Sequence, residues 1–104
     1  MKAEFENIPV VKNEENNRFE LIVDGYTAFI DYKERNDVIT LIHTESPEEL
    51  AGRGVATALI EKTLAYIEDN AYNLVPLCPL VFAYIKRHPA WARIVRADFK
   101  EKFN

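Results

Sequence analysis

Residues 48–60 read Glu48-Glu49-Leu50-Ala51-Gly52-Arg53-Gly54-Val55-Ala56-Thr57-Ala58-Leu59-Ile60. An apolar, β-branched run precedes them and a long amphipathic pattern follows. Two of the chain's three glycines stand here, on either side of Arg53. Glycine has no Cβ to hold a ligand away from backbone N–H groups. A helix that opens near Gly54 aims its unpaired N–H groups, and the positive end of its dipole, into this loop. That is the chemistry of a phosphate or pyrophosphate site. The same residues also suit a tight strand-to-helix turn that binds nothing, and the spacing of two glycines does not separate these readings.

Outward from the loop, the chain divides into short periodic segments. Val38–Thr44 reads as a strand, apolar on both faces at Val38, Ile39, Leu41 and Ile42, and therefore central in a sheet. Before it, Arg18–Val23 alternates, with Phe19, Leu21 and Val23 on one face. Asp24-Gly25 follows as a two-residue hairpin turn, and Tyr26–Tyr32 returns as the next strand. Lys33–Asp37 reads as a solvated turn. Ile8, Val10 and Val11 suggest a short edge strand. After the central strand, Ser46-Pro47-Glu48-Glu49 suggests a helix start with Ser46 as N-cap and Glu49 closing a capping box. The main helix runs from about Val55 to Asp69, with Ala56, Leu59, Ile60, Thr63, Leu64 and Ile67 on its apolar face. Asn70 suits its left-handed stop. Asn73–Leu77 is a short strand, parallel to Val38–Thr44 because a helix connects them, and Pro76 interrupts its ladder. Pro79 opens a second helix to Arg87, and Pro89 opens a last short one carrying Trp91. Lys100–Asn104 reads as a frayed end.

Ala51-Gly52-Arg53-Gly54-Val55-Ala56 resembles the coenzyme A loop of the GNAT superfamily of acetyl-CoA-dependent N-acetyltransferases, with Gly54 and Ala56 at its last two fixed positions and Ala51 departing from the usual Arg or Gln at the first. The resemblance includes His43-Thr44-Glu45, Val75-Pro76-Leu77-Cys78-Pro79 and Tyr84-Ile85-Lys86-Arg87-His88-Pro89, and is to a subgroup of short, stand-alone GNAT-like proteins. It implies an α+β fold: a minimal GNAT-like domain over residues 1–104, with packed helices and a mixed, mostly antiparallel sheet. Its central strands splay, and the pantetheine arm of coenzyme A fills the gap between them. It implies acetyl-CoA as cosubstrate, an amine-bearing small molecule or peptide as acceptor, and Thr44, Gly52, Arg53, Gly54, Val55, Ala56, Thr57 and Cys78 as coenzyme-binding residues.

Cys78 lies at the start of the second helix. A thiol there meets the positive end of the helix, which favours the reactive thiolate. A single cysteine is also commonly a small buried hydrophobe. The short subgroup carries a cysteine here, so Cys78 is a candidate to take the acetyl group first. His43 shares the alternation of Ile39 and Leu41, so it is either a core histidine or a general base for the acceptor ammonium. Glu45, on the same alternation, is a second candidate base or a solvated carboxylate. The resemblance places Tyr84 where many of these enzymes hold a tyrosine that protonates the departing thiolate; packing with Phe82 and Ile85 is its other reading. Arg53 either reaches a phosphate or is a solvated cation.

Composition bounds the remaining classes. The net charge of −4 over 104 residues argues against a nucleic-acid partner. One cysteine permits no intramolecular disulfide. Two histidines and that cysteine stand at spacings unsuited to a metal. Met1–Glu6 has no apolar signal core, and no apolar run is long enough to span a membrane. The expectation is a cytoplasmic protein with no membrane partner. Besides acetyl transfer, two functions remain open: a non-catalytic domain that binds coenzyme A or a protein partner, and a thiol sensor built on Cys78.

Overall fold

In the computed structural model, which describes residues 1–103, the alternating segments form strands β1 (Val11–Asn13), β2 (Arg18–Val23), β3 (Tyr26–Arg35), β4 (Val38–Glu45) and β5 (Asn73–Pro76). They make one five-stranded sheet in the order β1-β2-β3-β4-β5. The first four run antiparallel as a meander, and β5 lies parallel to β4. Helix α1 (Val55–Asp69) makes that crossover, and α2 (Pro79–Arg87) follows β5. The fold is α+β, as the resemblance implied.

Phe19, Leu21, Val23, Ala28, Ile30, Tyr32, Ile39 and Leu41 are buried against Leu59, Leu64, Ile67, Val81 and Ile85 of the two helices in one hydrophobic core. The opposite sheet face is open, with Ile22 and Ile42 exposed. The apolar character of both faces of β4 therefore does not mean that both are covered: Ile42 is 36 % exposed. Asp24 (φ 51°) and Gly25 (φ 81°) make the two-residue turn in the left-handed region that its geometry demands.

Several local expectations are corrected. β3 continues to Arg35, so the turn shrinks to Asn36-Asp37, with Asn36 at φ 56°. No capping box forms at Ser46: a 3-10 turn over Glu48–Leu50 has Pro47 at its N-cap and no side-chain cap. On α1, Ala58 is buried at 1 % exposure where Ala56 was expected to be. Ala71 (φ 59°), not Asn70, takes the left-handed position after α1. The edge strand starts at Val11, while Ile8 and Val10 pack partly buried against the core. Pro89 opens a 3-10 segment to Ile94 whose Trp91 packs partly buried, and Val95 adds a single parallel bridge to Leu74 on the free edge of β5. The C-terminal segment is helical through Phe103: α3 (Ala97–Lys100) is followed by a 3-10 turn, and the Phe103 ring lies 4.5 Å from that of Phe82. Asn104 lies outside the described residues.

Candidate coenzyme site

The β4–β5 ladder ends at Leu41 opposite Pro76. Proline has no N–H to continue it. The amides of Leu77 (3.0 Å) and Cys78 (2.8 Å) both donate to the Leu41 carbonyl, and the chain turns away into α2. β4 runs on through Glu45, paired only with β3. The two strands thus split beyond Leu41, between Ile42–Glu45 and the start of α2. Across it, the Thr44 hydroxyl and the Cys78 thiol share a hydrogen bond of 3.2 Å in a buried setting. Cys78 is the N-cap of α2, yet its side chain makes no bond to the helix amides. Cys78 is 1 % exposed.

A β-bulge decides which side chains of β4 face this split. Tyr32 pairs with Leu41 and Asp31 with His43, so Ile42 is an extra residue in β4. One inserted residue reverses the alternation that follows it. Thr44 therefore points into the core side with Ile39 and Leu41, while His43 and Glu45 turn out to the open face. The expectation that His43 shares a face with Ile39 and Leu41 is corrected, and with it the core-histidine alternative: the His43 side chain is 56 % exposed. Its Nε2 lies 4.0 Å from Glu45 Oε2. Beside Glu45, a hollow of about 230 Å³ is lined by Thr27, Phe29, Glu45, Ser46 and Pro47.

The glycine loop joins the 3-10 turn after β4 to α1. Gly52 (φ 76°) and Gly54 (φ 81°) both sit in the left-handed region, where side chains strain the backbone, and Gly54 is the N-cap of α1. The first helical bond runs from the Ala58 amide to the Gly54 carbonyl. Among the described residues, the amides of Gly52, Gly54, Val55, Ala56 and Thr57 have no hydrogen-bond partner, and no side chain caps the helix. Thr57 and Gly52 are exposed, Ala56 is half-buried and Val55 is buried. Arg53 is engaged elsewhere: its guanidinium lies 2.7 Å from Asp24 in the β2–β3 turn and 3.8 Å from Glu4.

Tyr84 lies on α2, and its hydroxyl donates to Glu61 of α1 at 3.1 Å. Burial, reinforced by the Glu61 carboxylate, pushes its phenol up to about 12. Its ring stacks on His88 at 4.4 Å.

Two residues near these groups have no signal in the sequence. Glu61 reads there as a solvated helix carboxylate and becomes the partner of Tyr84. Lys2 reads as part of a polar N-terminus, yet its side chain passes over Gly54. Contacts between segments so distant in sequence carry no local pattern. Among the described residues, no group of three or more His, Cys, Asp or Glu side chains gathers to hold a metal, and no helix is long and apolar enough to cross a membrane.

No curated protein matches the sequence. The NMR structure of a GCN5-like protein from Staphylococcus aureus is similar in fold, with a TM-score of 0.63 over 88% of this chain and 90% of that one. At 21% identity, that likeness concerns the fold alone. The family model for the GCN5-related N-acetyl-transferase domain matches residues 18–94, a span that runs from β2 to the end of the Pro89–Ile94 segment and takes in both the split strands and the glycine loop. The chain belongs to the GCN5-related N-acetyltransferase family.

Proposed function

We propose that this protein transfers the acetyl group of acetyl-CoA to an amine acceptor, by direct attack of the amine on the thioester. The observation that carries the reading is the row of unpartnered amides at Gly52 and Gly54–Thr57. Unpaired N–H groups at a helix start suit a pyrophosphate, and this row belongs to a loop that the family match includes. In this reading the pantetheine arm lies along the split between β4 and β5, beside the Thr44–Cys78 pair.

The amine approaches from the open face, where the hollow beside Glu45 and the exposed His43 imidazole lie. His43, with Glu45 as its neighbour, takes one proton from the acceptor ammonium. The freed nitrogen lone pair attacks the thioester carbonyl, the nitrogen gives its second proton to water, and the carbon–sulfur bond breaks. The leaving thiolate takes a proton from water. Tyr84 is a poor donor for that step, because a phenol near 12 is a weaker acid than a thiol of roughly 8.5. Cys78 is also poorly placed to carry the acetyl group. Its thiol is buried, and its hydrogen-bond partner is the Thr44 hydroxyl, which is no base.

The test is titration of coenzyme A into the wild-type chain and Gly54→Val, followed by incubation of acetyl-CoA with a panel of primary amines. The wild type binds and acetylates an amine, and Gly54→Val loses binding. Pantetheine, which lacks the pyrophosphate, binds far more weakly than coenzyme A to the wild type. No binding of coenzyme A by the wild type overturns the reading. Binding without transfer to any amine leaves the non-catalytic alternative. A stable acetyl group on Cys78, with transfer lost in Cys78→Ser, replaces direct attack by the covalent route.

A further inference from the structure

The amides of the glycine loop carry partial charges, whereas a pyrophosphate carries full ones that a cation matches more strongly. Arg53, the cation within the loop itself, is already matched by the carboxylates of Asp24 and Glu4. The other cation at the loop comes from the opposite end of the sequence. The Lys2 side chain lies across Gly54: its Cε is 3.5 Å, and its Nζ 3.9 Å, from the point that a Cβ on Gly54 would occupy. Among the described residues, Lys2 has no ion pair and its ammonium donates no hydrogen bond.

The position of Lys2 is not that of a loose terminus. Its carbonyl accepts the Phe5 amide at 3.0 Å, which closes a 3-10 turn over Ala3–Phe5. Phe5 is 1 % exposed and belongs to the hydrophobic core. Glu4 of the same turn reaches Arg53. The turn is therefore held at the loop by an apolar anchor and an ion pair, with the lysine between them.

We infer that Lys2 is a pyrophosphate-binding residue of the coenzyme site, supplied to the glycine loop by the anchored N-terminal turn. The inference rests on the coenzyme A reading above. A compact ammonium with three donors bonds phosphate oxygens without a fixed approach direction, which suits a side chain lying over the loop rather than rising from it. Coenzyme A then binds between the loop amides and the Lys2 ammonium, and the N-terminal turn belongs to the binding site although it precedes the family match.

The experiment measures, at low salt, the affinity of the full chain and of Lys2→Gln and Lys2→Arg for coenzyme A, dephospho-coenzyme A and pantetheine. Loss of one charge-assisted contact at a solvated site weakens Lys2→Gln by about tenfold for both pyrophosphate ligands. Lys2→Arg, which keeps the charge, stays within about threefold of the wild type. Pantetheine affinity is the same in all three proteins. Unchanged coenzyme A affinity in Lys2→Gln overturns the inference while the coenzyme A reading stands. An equal loss for pantetheine also overturns it, because the effect is then structural. A loss for coenzyme A but not its dephospho form assigns Lys2 to the ribose phosphate instead, and overturns the pyrophosphate assignment. A wild-type chain that binds no coenzyme A is a distinct result that removes the coenzyme A reading and this inference together.

Discussion

His43 and Glu45 stand on the open face with side chains 56 % and 62 % exposed, so their removal tests chemistry rather than folding. His43→Gln is expected to lower turnover by about a hundredfold and to leave coenzyme A affinity unchanged. Its unfolding free energy stays within about 0.5 kcal/mol of the wild type, the usual range for an exposed position. Steady-state kinetics beside urea unfolding check both parts, and a large loss of stability without a kinetic defect refutes the assignment. Tyr84 calls for a different experiment, because its phenol is raised by burial and by Glu61 to about 12. A group raised on folding contributes stability that is fully present below its unfolded value, roughly 10 for a tyrosine, and is lost as pH climbs through the folded value. Ultraviolet titration of Tyr84→Phe is expected to lack the phenolate that appears near pH 12, and Glu61→Gln to shift it towards the ordinary value. Turnover of Tyr84→Phe falls less than about tenfold if water supplies the thiolate's proton.

Helix α1 ends in a Schellman arrangement: the Tyr72 amide donates to the Ile67 carbonyl at 3.0 Å and the Ala71 amide to Glu68 at 3.1 Å. The motif needs a left-handed residue after the C-cap, and Ala71 supplies it at φ 59° with its Cβ strained. Ala71→Gly removes that strain and is expected to stabilise the fold by about 1 kcal/mol, measured as a rise in the urea midpoint with unchanged slope. The reverse holds at the other end of the helix. Gly54 at φ 81° tolerates no side chain without strain, although the Lys2 stem is the nearest atom group a Cβ would meet. The glycine is thus needed for the backbone shape that leaves the loop amides unpaired.

Across the whole molecule, one cluster ties the sheet edge to the connection between α1 and β5. The Lys12 ammonium of β1 pairs with Glu34 of β3 and with Glu14, and lies 5.5 Å and 5.3 Å from the ring centres of Tyr32 and Tyr72. The Tyr72 hydroxyl donates to Glu34 at 3.1 Å. Burial opposes the charged form of Lys12, but its bonds to Glu34 and Glu14 outweigh it, and the ammonium is held above its usual range. The hydrogen bond from Lys12, against some burial, holds the Glu34 carboxyl below its usual range. The depressed carboxyl contributes stability above about pH 4.5 that is lost as pH falls through its folded value, and the raised ammonium contributes stability until pH passes about 10.5. Glu34→Gln is expected to cost about 1 kcal/mol at neutral pH and to flatten the acid limb of a stability–pH curve. An acid limb unchanged in Glu34→Gln shows that other carboxylates govern it.

What the chain determined by itself was local. Period-two alternation marked β2, the Asp24-Gly25 pair marked its turn, and period-three-and-four spacing marked α1 from Val55 to Asp69. Pro76 and Pro79 marked the end of β5 and the start of α2, because proline removes a donor and fixes φ wherever it stands. The glycine loop was legible for the same reason: its conformation follows from residues that touch one another in sequence. What lay beyond reach depended on partners. The extra residue Ile42 is extra only against the Tyr32–Asp31 step of β3, so His43 and Glu45 alternate with Leu41 in sequence and part from it in space. The Cys78–Thr44 bond, the Tyr84–Glu61 bond, the capture of Arg53 by Asp24 and the path of Lys2 over Gly54 join segments that only packing brings together. Strand pairing and core burial decide such contacts, and neither is written in the periodicity of any one segment.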